Sequence, residues 1–458
     1  GTVTGVQTCA LPIYPGANWS AKGPAYFPAS GPAVGTYLGS DGNPLGGLAL
    51  GNGFAGLHPS LKFLAPVYNA GDLALIHRVG YPNQSRSHFD SQNYWESGVP
   101  RDDLVRDGIL YRAMVESGLA ATNSLTGVSI QSSLPLILRG SKVAMTNLSD
   151  TSRYNLLGVP NSAAGNAKSD AFLRAAMATD AADRKSRDLL DLQYANMSRT
   201  LDVFASINFN QEFSDNEATD GDMAYNLFPT SNATNGSYAA RGNNPGKYVV
   251  PTSSYDFFRS LRAAALVLNK TDAIVAGTQI DGWDTHSTQG AATGSHANLL
   301  RRVGWAIYGL RKYFLQNPDK CSWDDLVVVT LSEFGRTTVE NDDAGTDHAE
   351  ASVMLVAGGN VKGATASRPA IFGCSPSDAV PWQTGGTGSM FQTANQRYLG
   401  RAVDYRSVLG KLIRDHLGAT QAQLNRIIPG YADPSEALKS GGIQAADGTR
   451  VMGEPDIL

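Results

Sequence analysis

The chain has 458 residues, of which 42% are hydrophobic and 17% are charged, with a formal net charge of −4 and a pI near 6.0. This length allows a large hydrophobic core, in one domain or two. The slightly acidic balance argues against general nucleic-acid binding, which favours a basic face, and no apolar run reaches the roughly 18 residues of a membrane span. Few charges beside 49 glycines and many Asn, Ser and Thr residues favour an exported protein over a cytosolic one.

The first thirteen residues differ from the rest of the chain. The stretch Val3–Ile13 reads like the translation of a sequencing-library adapter, and no signal peptide is visible. We therefore interpret residues 1–13 as an artefactual leader on a truncated gene; the alternative is a natural N-terminal segment of unusual composition. Cys9 lies in this leader, and the other two cysteines, Cys321 and Cys374, form no metal motif, although they could pair in an oxidising compartment.

The rest of the chain is predicted to form one main domain. Segment 14–55 is rich in Gly, Pro, Ala and Ser and is predicted to be an irregular N-terminal remnant. The main domain is predicted over 56–430, with a helical and irregular insertion at about 150–255. The polar tail 431–458 is predicted to dock loosely or to fray.

Hydrophobic spacing predicts the elements of the main domain. Apolar residues at helical spacing predict helices over 57–69, 106–119, 170–207, 255–269, 295–315 and 402–417. Short apolar and β-branched runs predict strands over 73–77, 127–130, 273–280, 326–331 and 351–356. Because strands alternate with helices, we expect an α/β fold with a parallel sheet covered on both faces.

Five acidic and histidine side chains lie next to the ends of three predicted strands. They are Asp284, His286, Glu333, Asp347 and His348. Ligands of open α/β sheets bind beyond the carboxyl ends of strands, so we expect these side chains to meet at one sheet edge. Carboxylates and imidazoles suit a hard or borderline divalent metal ion. The pattern therefore predicts a metal site; the alternative for each residue is a capping or hydrogen-bonded role in a turn.

A second polar group lies in a loop that enters a predicted helix. It consists of Ser85, Arg86, Ser87 and His88. A helix N-terminus favours anions, and a serine there could act as a nucleophile if a metal lowers the pKa of its hydroxyl. The spacing of Ser87 and Asp90 also fits a capping box, so a purely structural N-cap is the alternative. His88 is predicted to be a metal ligand or a general acid or base.

The order of these motifs resembles the DUF1501 family, an uncharacterised and mostly exported bacterial group related to alkaline phosphatases and sulfatases. The motifs that carry the resemblance lie at 56–59, 75–80, 85–89, 281–286, 332–336, 345–348 and 403–409. The resemblance covers roughly Gly56 to Gly418. It implies a three-layer α/β/α sandwich with a mostly parallel central sheet, as in alkaline phosphatase, and a periplasmic or extracellular location reached through a Tat export signal that is missing from this chain.

The resemblance also implies a function. It suggests a metal-dependent hydrolase of a small phosphate or sulfate ester, with Asp284, His286, Glu333, Asp347 and His348 as ligands of zinc or, alternatively, of Mg, Mn or Ca. Ser85 or Ser87 would attack the ester, His88 would assist, and Arg86 or Arg336 would bind the anion.

Two departures from the pattern weaken the expected activity. Phe334 follows Glu333 where related enzymes carry a second ligand, a histidine. The first strand of the family, which ends in a Gly-Gly-x-Asp-Gly motif and supplies an aspartate, has no counterpart in this sequence. We therefore expect weak or absent activity in this chain. The alternative function is a non-catalytic metal- or ligand-binding protein of the cell envelope that keeps the fold.

Overall fold

The computed structural model describes residues 3–4, 48–50, 56–123, 125–151, 162–177, 184–215, 226–235, 250–290, 294–338, 340–374, 397–440 and 451–458. Its strands are β1 (Val3–Thr4), β2 (Leu48–Ala49), β3 (Gly56–Leu57), β4 (Leu73–Gly80), β5 (Gly127–Ser129), β6 (Thr146–Asn147), β7 (Val275–Gly277), β8 (Val328–Leu331), β9 (Gly335–Arg336), β10 (His348–Ala349), β11 (Ser352–Ala357), β12 (Ile371–Phe372) and β13 (Val403–Asp404). Its helices are α1 (Leu64–Asn69), α2 (His88–Ser97), α3 (Ile109–Glu116), α4 (Leu119–Thr122), α5 (Ala163–Met177), α6 (Arg184–Phe204), α7 (Tyr255–Lys270), α8 (Ser295–Gln316), α9 (Tyr405–Asp415) and α10 (Gln421–Ile427).

The central sheet is mixed rather than purely parallel. Its strand order is β1–β8–β11–β4–β12, and β13 also pairs with β4. Strand β11 runs antiparallel to its neighbours β8 and β4, whereas β1, β12 and β13 run parallel to the strands they join. The predicted α/β class is confirmed. The sheet is only partly parallel, because β11, in the middle of the sheet, runs antiparallel to both of its neighbours.

Two residues of the predicted leader belong to this sheet. Val3 and Thr4 form β1 and pair with Thr330 and Leu331 of β8. The rest of the leader and residues 14–47 lie outside the described residues. The adapter origin of residues 1–13 stays a prediction.

A second sheet of three parallel strands has the order β6–β5–β7. We predicted that the strand before Asp284 would join the same sheet as β8 and β11. Among the described residues, β7 instead pairs with β5. An apolar, β-branched run specifies a buried strand, but it does not specify the partner of that strand.

The antiparallel course of β11 brings separate polar segments together. Residues that follow β8 and residues that precede β11 lie at the same sheet edge because the two strands run in opposite directions. At that edge β9 and β10 form an antiparallel ribbon in which His348 is opposite Arg336. The segment that follows β8 and the segment that precedes β11 therefore meet at this sheet edge.

Helices pack on both faces of the central sheet. On one face, Leu75 and Leu355 share a hydrophobic cluster with Trp305 of α8. On the other face, Ile76 lies in a cluster with Tyr405 of α9. Successive strand residues point to opposite faces, so the continuous apolar run of β4 supplies both clusters.

Most predicted helices are present, and two segments differ. The predicted helix over 170–207 is two helices, α5 and α6, and residues 178–183 between them lie outside the described residues. The C-terminal tail is packed more tightly than its polar composition predicts. Leu438 and Ile457 are fully buried, and the amide of Lys362 donates to the carbonyl of Ile457 at 2.9 Å.

The structure also bears on the cysteines and on the membrane. No disulfide joins Cys321 and Cys374, so the possible pairing between them is not formed. Cys9 lies outside the described residues. Across the described ranges, every helix is too short or too polar to cross a bilayer.

Buried His77 makes the stability of the fold sensitive to acid. It lies in β4 with 0% exposure, and neither ring nitrogen has a hydrogen-bond partner among the described residues. Desolvation by burial, together with the charge of Arg78, lowers the pKa of His77 from 6.5 to about 3. The unfolded chain therefore binds a proton that the folded chain excludes. The contribution of neutral His77 to the free energy of unfolding is complete above about pH 6.5. It is lost as the pH falls toward 3, by roughly 1.4 kcal/mol per pH unit.

We expect His77→Leu to reduce this acid sensitivity, because leucine has a similar volume and does not titrate. Between about pH 7 and about pH 5, the melting temperature of the wild type should fall several degrees further than that of the variant. Calorimetry at the two pH values measures the difference, and the pH 7 melt of the variant serves as the control for folding. An equal fall in both proteins would show that His77 is not the titrating group.

Candidate metal centre

Asp284 lies at the centre of a cluster of three histidines. Its Oδ1 atom is 2.9 Å from Nε2 of His348 and 3.0 Å from Nε2 of His286. Its Oδ2 atom is 3.5 Å from Nε2 of His88. The Nε2 atoms of His286 and His348 are 2.9 Å apart. Three imidazoles from three separate segments thus present the same ring nitrogen to one carboxylate.

The surroundings of His348 are compatible with a cation at its Nε2 atom. Its Nδ1 atom lies 2.8 Å from the backbone carbonyl of Arg86. A carbonyl only accepts, so Nδ1 carries the hydrogen and Nε2 of a neutral ring has a lone pair. That lone pair faces Oδ1 of Asp284, which is also an acceptor. The repulsion is relieved when a second proton or a metal cation lies between them.

The other two histidines repeat this arrangement. Nδ1 of His286 is 3.0 Å from Oδ1 of Asp347, and Nδ1 of His88 is 2.9 Å from Oε1 of Glu333. Each ring therefore has an acceptor at its outer nitrogen, Nδ1, and faces Asp284 with its inner nitrogen, Nε2. Three adjacent imidazolium ions would repel one another, whereas a divalent cation would take the place of the inner proton on each ring that it binds.

The separations suit one small metal ion. Tetrahedral zinc with bonds of roughly 2.0–2.1 Å places its ligand atoms roughly 3.3 Å apart. Four pairs of inner atoms are 2.9 to 3.5 Å apart. The ligand atoms of His88, Asp284 and His348 all lie within 4.8 Å of one another, a group that does not include His286. Several nitrogens with one carboxylate oxygen suit zinc better than magnesium or calcium, which prefer oxygen ligands. These residues could therefore hold zinc.

Arg336 holds Asp284 in its charged form. The buried guanidinium donates from Nη1 to Oδ1 of Asp284 at 2.8 Å and from Nε to Oγ1 of Thr346 at 3.0 Å. Burial raises the pKa of the Asp284 carboxyl, but hydrogen bonds from His348 and Arg336, with the charge of His286, lower this pKa well below its usual range. Arg336 was predicted to bind a substrate anion; the structure places its donors on Asp284 and Thr346.

Glu333 contacts the outer nitrogen of His88 rather than the shared carboxylate. Its side chain is 14% exposed, and its backbone carbonyl accepts from Nε2 of Gln84 at 3.0 Å. Desolvation by burial raises the pKa of Glu333, and the hydrogen bond from His88 opposes that rise. Glu333 was predicted to be a metal ligand. Behind His88, its carboxylate is placed to orient that imidazole, and its predicted role as a metal ligand stays a prediction.

Asp347 occupies the equivalent place behind His286. Its Oδ1 atom accepts from Nδ2 of Asn341 at 2.9 Å, and its Oδ2 atom accepts from Arg397. Hydrogen bonds from Asn341 and His286 lower the pKa of Asp347. Sequence reasoning missed both Asn341 and Arg397. The nearness of Asn341 to the Gly-Thr-Asp-His motif was a usable signal, whereas Arg397 lies 50 positions beyond Asp347 and follows no predicted strand.

The loop that carries Asp347 packs directly on the His286 loop. A Cβ atom at Gly345 would overlap the backbone carbonyl of His286. The amide of Thr346 donates to the carbonyl of Thr285 at 3.1 Å. Glycine at position 345 therefore permits the close backbone approach that joins the two loops.

The predicted serine nucleophiles are engaged at the start of α2. Oγ of Ser87 accepts from the amide of Asp90 at 3.4 Å, so Ser87 is the N-cap of this helix. Oγ of Ser85 donates to Oδ2 of Asp90 at 3.3 Å and accepts from the amide of Ser87 at 3.1 Å. Arg86 donates from Nε to Glu350 at 3.0 Å. The N-cap is confirmed, and a nucleophilic role for either serine stays a prediction.

A cavity of about 270 Å³ opens beside the centre, with Asp284 and Glu333 in its wall. The buried indole side chains of Trp95 and Trp283 line the same cavity. The side chains of Asp284 and His286 are 48% and 46% exposed. The centre is therefore open to solvent on one side, as a site that admits water and a ligand must be.

Most residues of the centre lie in the part of the chain that a family model covers. Residues 158–368 match DUF1501. The family is described as a protein of unknown function. The match supports the resemblance that the motifs indicated. Comparisons with curated proteins and with solved structures found no match.

Within the DUF1501 match, Phe334 packs behind the histidines. Its ring centroid is 4.5 Å from that of His348 and 4.8 Å from that of His88, and the side chain is fully buried. Phe334 therefore fixes two imidazoles by packing. His88 itself lies outside the DUF1501 match, as the first residue of α2.

We expect Glu333→Gln to weaken zinc binding by about 10-fold, toward the low end of the roughly 10–100-fold effect of residues that orient ligands. The amide oxygen can still accept from Nδ1 of His88, but the negative charge is lost. Competition with a chromophoric chelator measures the affinity. If Glu333→Gln abolished binding as fully as His348→Ala, Glu333 would be a direct ligand.

Proposed function

We propose that this protein is a metal-dependent hydrolase of phosphate or sulfate esters, built on a three-layer α/β/α arrangement like that of alkaline phosphatase. The observation that carries the proposal is the convergence of His88, His286 and His348 on Asp284 with every outer imidazole nitrogen already hydrogen-bonded. The class of substrate follows from the resemblance to the phosphatase and sulfatase group. That group is mostly exported, which supports a periplasmic or extracellular location.

The residues of the centre divide the work between holding and orienting. His88, His286, His348 and Asp284 would hold zinc, which when bound supplies Lewis-acid polarisation of an ester oxygen and of water. Arg336 keeps Asp284 ionised. The acceptors behind the rings fix the tautomer in which each inner nitrogen is free to bind a cation.

The nucleophile that the geometry supports best is water. Both candidate serine hydroxyls are committed to the N-terminal turn of α2, whereas the cavity beside Asp284 is open to solvent. Arg86 is 43% exposed at the rim, where Glu350 holds its guanidinium. From there it can attract the anionic ester by charge.

Metal analysis followed by an ester screen tests the proposal. The purified protein should contain close to one zinc per chain. It should hydrolyse an aryl phosphate or an aryl sulfate at the low rate expected of this chain, with that activity lost on chelation and restored by zinc. Turnover that resists chelation, or a protein that takes up no divalent metal, would refute the hydrolase. Stoichiometric zinc without turnover of any ester would instead support the binding-only alternative.

A further inference from the structure

Helix α2 begins at the metal centre and forms one wall of a cleft that leads away from it. Phe89, Gln92, Asn93 and Glu96 follow the helical spacing i, i+3, i+4 and i+7, so they lie along one side of the helix. They line a second cavity of about 370 Å³. This cavity shares Gln92, Glu96 and Gln279 with the cavity beside Asp284. The two cavities therefore form one continuous cleft.

The lining of the cleft has the chemistry that recognises sugars. Amide side chains line it at Gln92, Asn93, Gln131 and Gln279, and an amide both donates and accepts hydrogen bonds. Phe89, the second residue of α2, also lines the second cavity and is 88% exposed. A sugar ring offers neighbouring hydroxyls, which also donate and accept, and an apolar C–H face that packs on an aromatic ring. Small-molecule sites enclose roughly 300–1,000 Å³, so the cleft has room for more than the ester group.

Charge changes sign along the cleft. The near end carries the carboxylates of Asp284 and Glu333, whereas the exposed guanidinium groups of Arg106 and Arg139 line the far end. A ligand with its ester at the metal centre and a second anionic group near these arginines matches both ends.

A peptide fits the cleft less well than a sugar does. Extended peptides bind mainly through the backbone of an exposed strand edge. Among the described lining residues, only Leu331 belongs to a strand, and the others come from α2 and from loops. The cleft therefore offers side-chain hydrogen bonds rather than strand pairing.

We propose that this cleft is a glycan subsite, so that the ester at the metal centre is carried by a sugar whose further residues extend along α2 toward Arg139. The inference rests on the proposed function for the position of the ester. Binding in the cleft does not require turnover.

Calorimetric titration of the chelated 458-residue chain tests the subsite. One pair of probes is the disaccharide of chondroitin 4-sulfate and phenyl sulfate; the other is trehalose 6-phosphate and phenyl phosphate. In at least one pair the disaccharide should bind about tenfold more tightly than the phenyl ester. Asn93→Ala and Arg139→Ala, at residues that line only the second cavity, should each weaken binding of that disaccharide severalfold and leave the phenyl ester unchanged. Gln421→Ala, at a half-buried glutamine of α10, is the matched control and should change neither.

Two results would overturn the glycan subsite. One is equal affinity for disaccharide and phenyl ester in both pairs, and the other is tighter binding of a phosphoserine peptide than of either sugar. Hydrolysis of phenyl esters without any sugar preference would remove the subsite and leave the hydrolase standing. Sugar binding that Asn93→Ala weakens, without hydrolysis of any ester by the zinc-loaded protein, would support the subsite and remove the hydrolase.

Discussion

Replacing Asp284 with alanine should abolish stoichiometric zinc binding and, with it, ester hydrolysis. Asp284 is the only group that all three imidazoles share on their inner side within the described residues. Loss of an outer-shell partner already costs about 10–100-fold in affinity, so loss of this carboxylate should cost well over about 100-fold. Removing it also leaves buried Arg336 without its carboxylate partner. Inductively coupled plasma analysis of the dialysed protein measures the bound metal.

His348→Ala should behave in the same way, and two measurements guard against a trivial loss of structure. The matched control is Asp343→Ala, an exposed aspartate in the loop between β9 and β10, which should keep both metal and activity. Circular dichroism should show that Asp284→Ala and His348→Ala remain folded. Full zinc occupancy in a folded Asp284→Ala protein would show that the metal does not bind at this cluster.

The largest effect on stability should come from Asp404→Ala. Asp404 is fully buried and forms the N-cap of α9, where it accepts from the amide of Arg406 at 3.0 Å. The same carboxylate accepts from Nη1 of Arg401 at 2.8 Å and from Nε of Arg406 at 3.0 Å. Its removal leaves two buried cations without this partner, which typically costs about 3–5 kcal/mol. Urea denaturation measures the change in the free energy of unfolding.

Asp433→Ala is the matched control for this prediction. Asp433 also caps a helical turn, accepting from the amide of Ser435 at 2.9 Å, but it is exposed and holds no buried arginine. Its loss should cost about 1 kcal/mol. Equal destabilisation by the two substitutions would mean that capping, and not the buried charge, is what Asp404 contributes.

The sequence indicated residues that lie at the candidate centre, but it did not indicate which carboxylates lie on the inner side of the imidazoles and which on the outer side. The sequence showed that one predicted strand ends shortly before Asp284 and that another begins shortly after His348. Both boundaries could be recognised because the hydrophobic runs stop near these polar residues. Spacing alone did not show that Glu333 and Asp347 lie at the outer nitrogens of His88 and His286. Whether a carboxylate lies on the inner or the outer side of an imidazole depends on side-chain direction, and that is set by packing between segments far apart in the chain.

The fold shows the same limit. Periodicity predicted the helices and most strands, because burial on one face leaves a regular signal. It did not predict that β11 reverses direction or that β7 pairs with β5, since strand pairing depends on long-range contacts. The tail that ends in Ile457 was predicted to dock loosely because few of its residues are apolar, but those few reach the core.

The span of chain that the centre connects has a consequence for how the protein assembles. His88 and Glu333 are 245 positions apart, and Asp284 and His348 are 64 positions apart. Closing such long loops is entropically costly and happens only once the sheet edge exists. We therefore expect the centre to form late in folding. A cation held there would link distant parts of the polypeptide. The amount of bound cation would then report whether the whole domain is folded, and not only one loop.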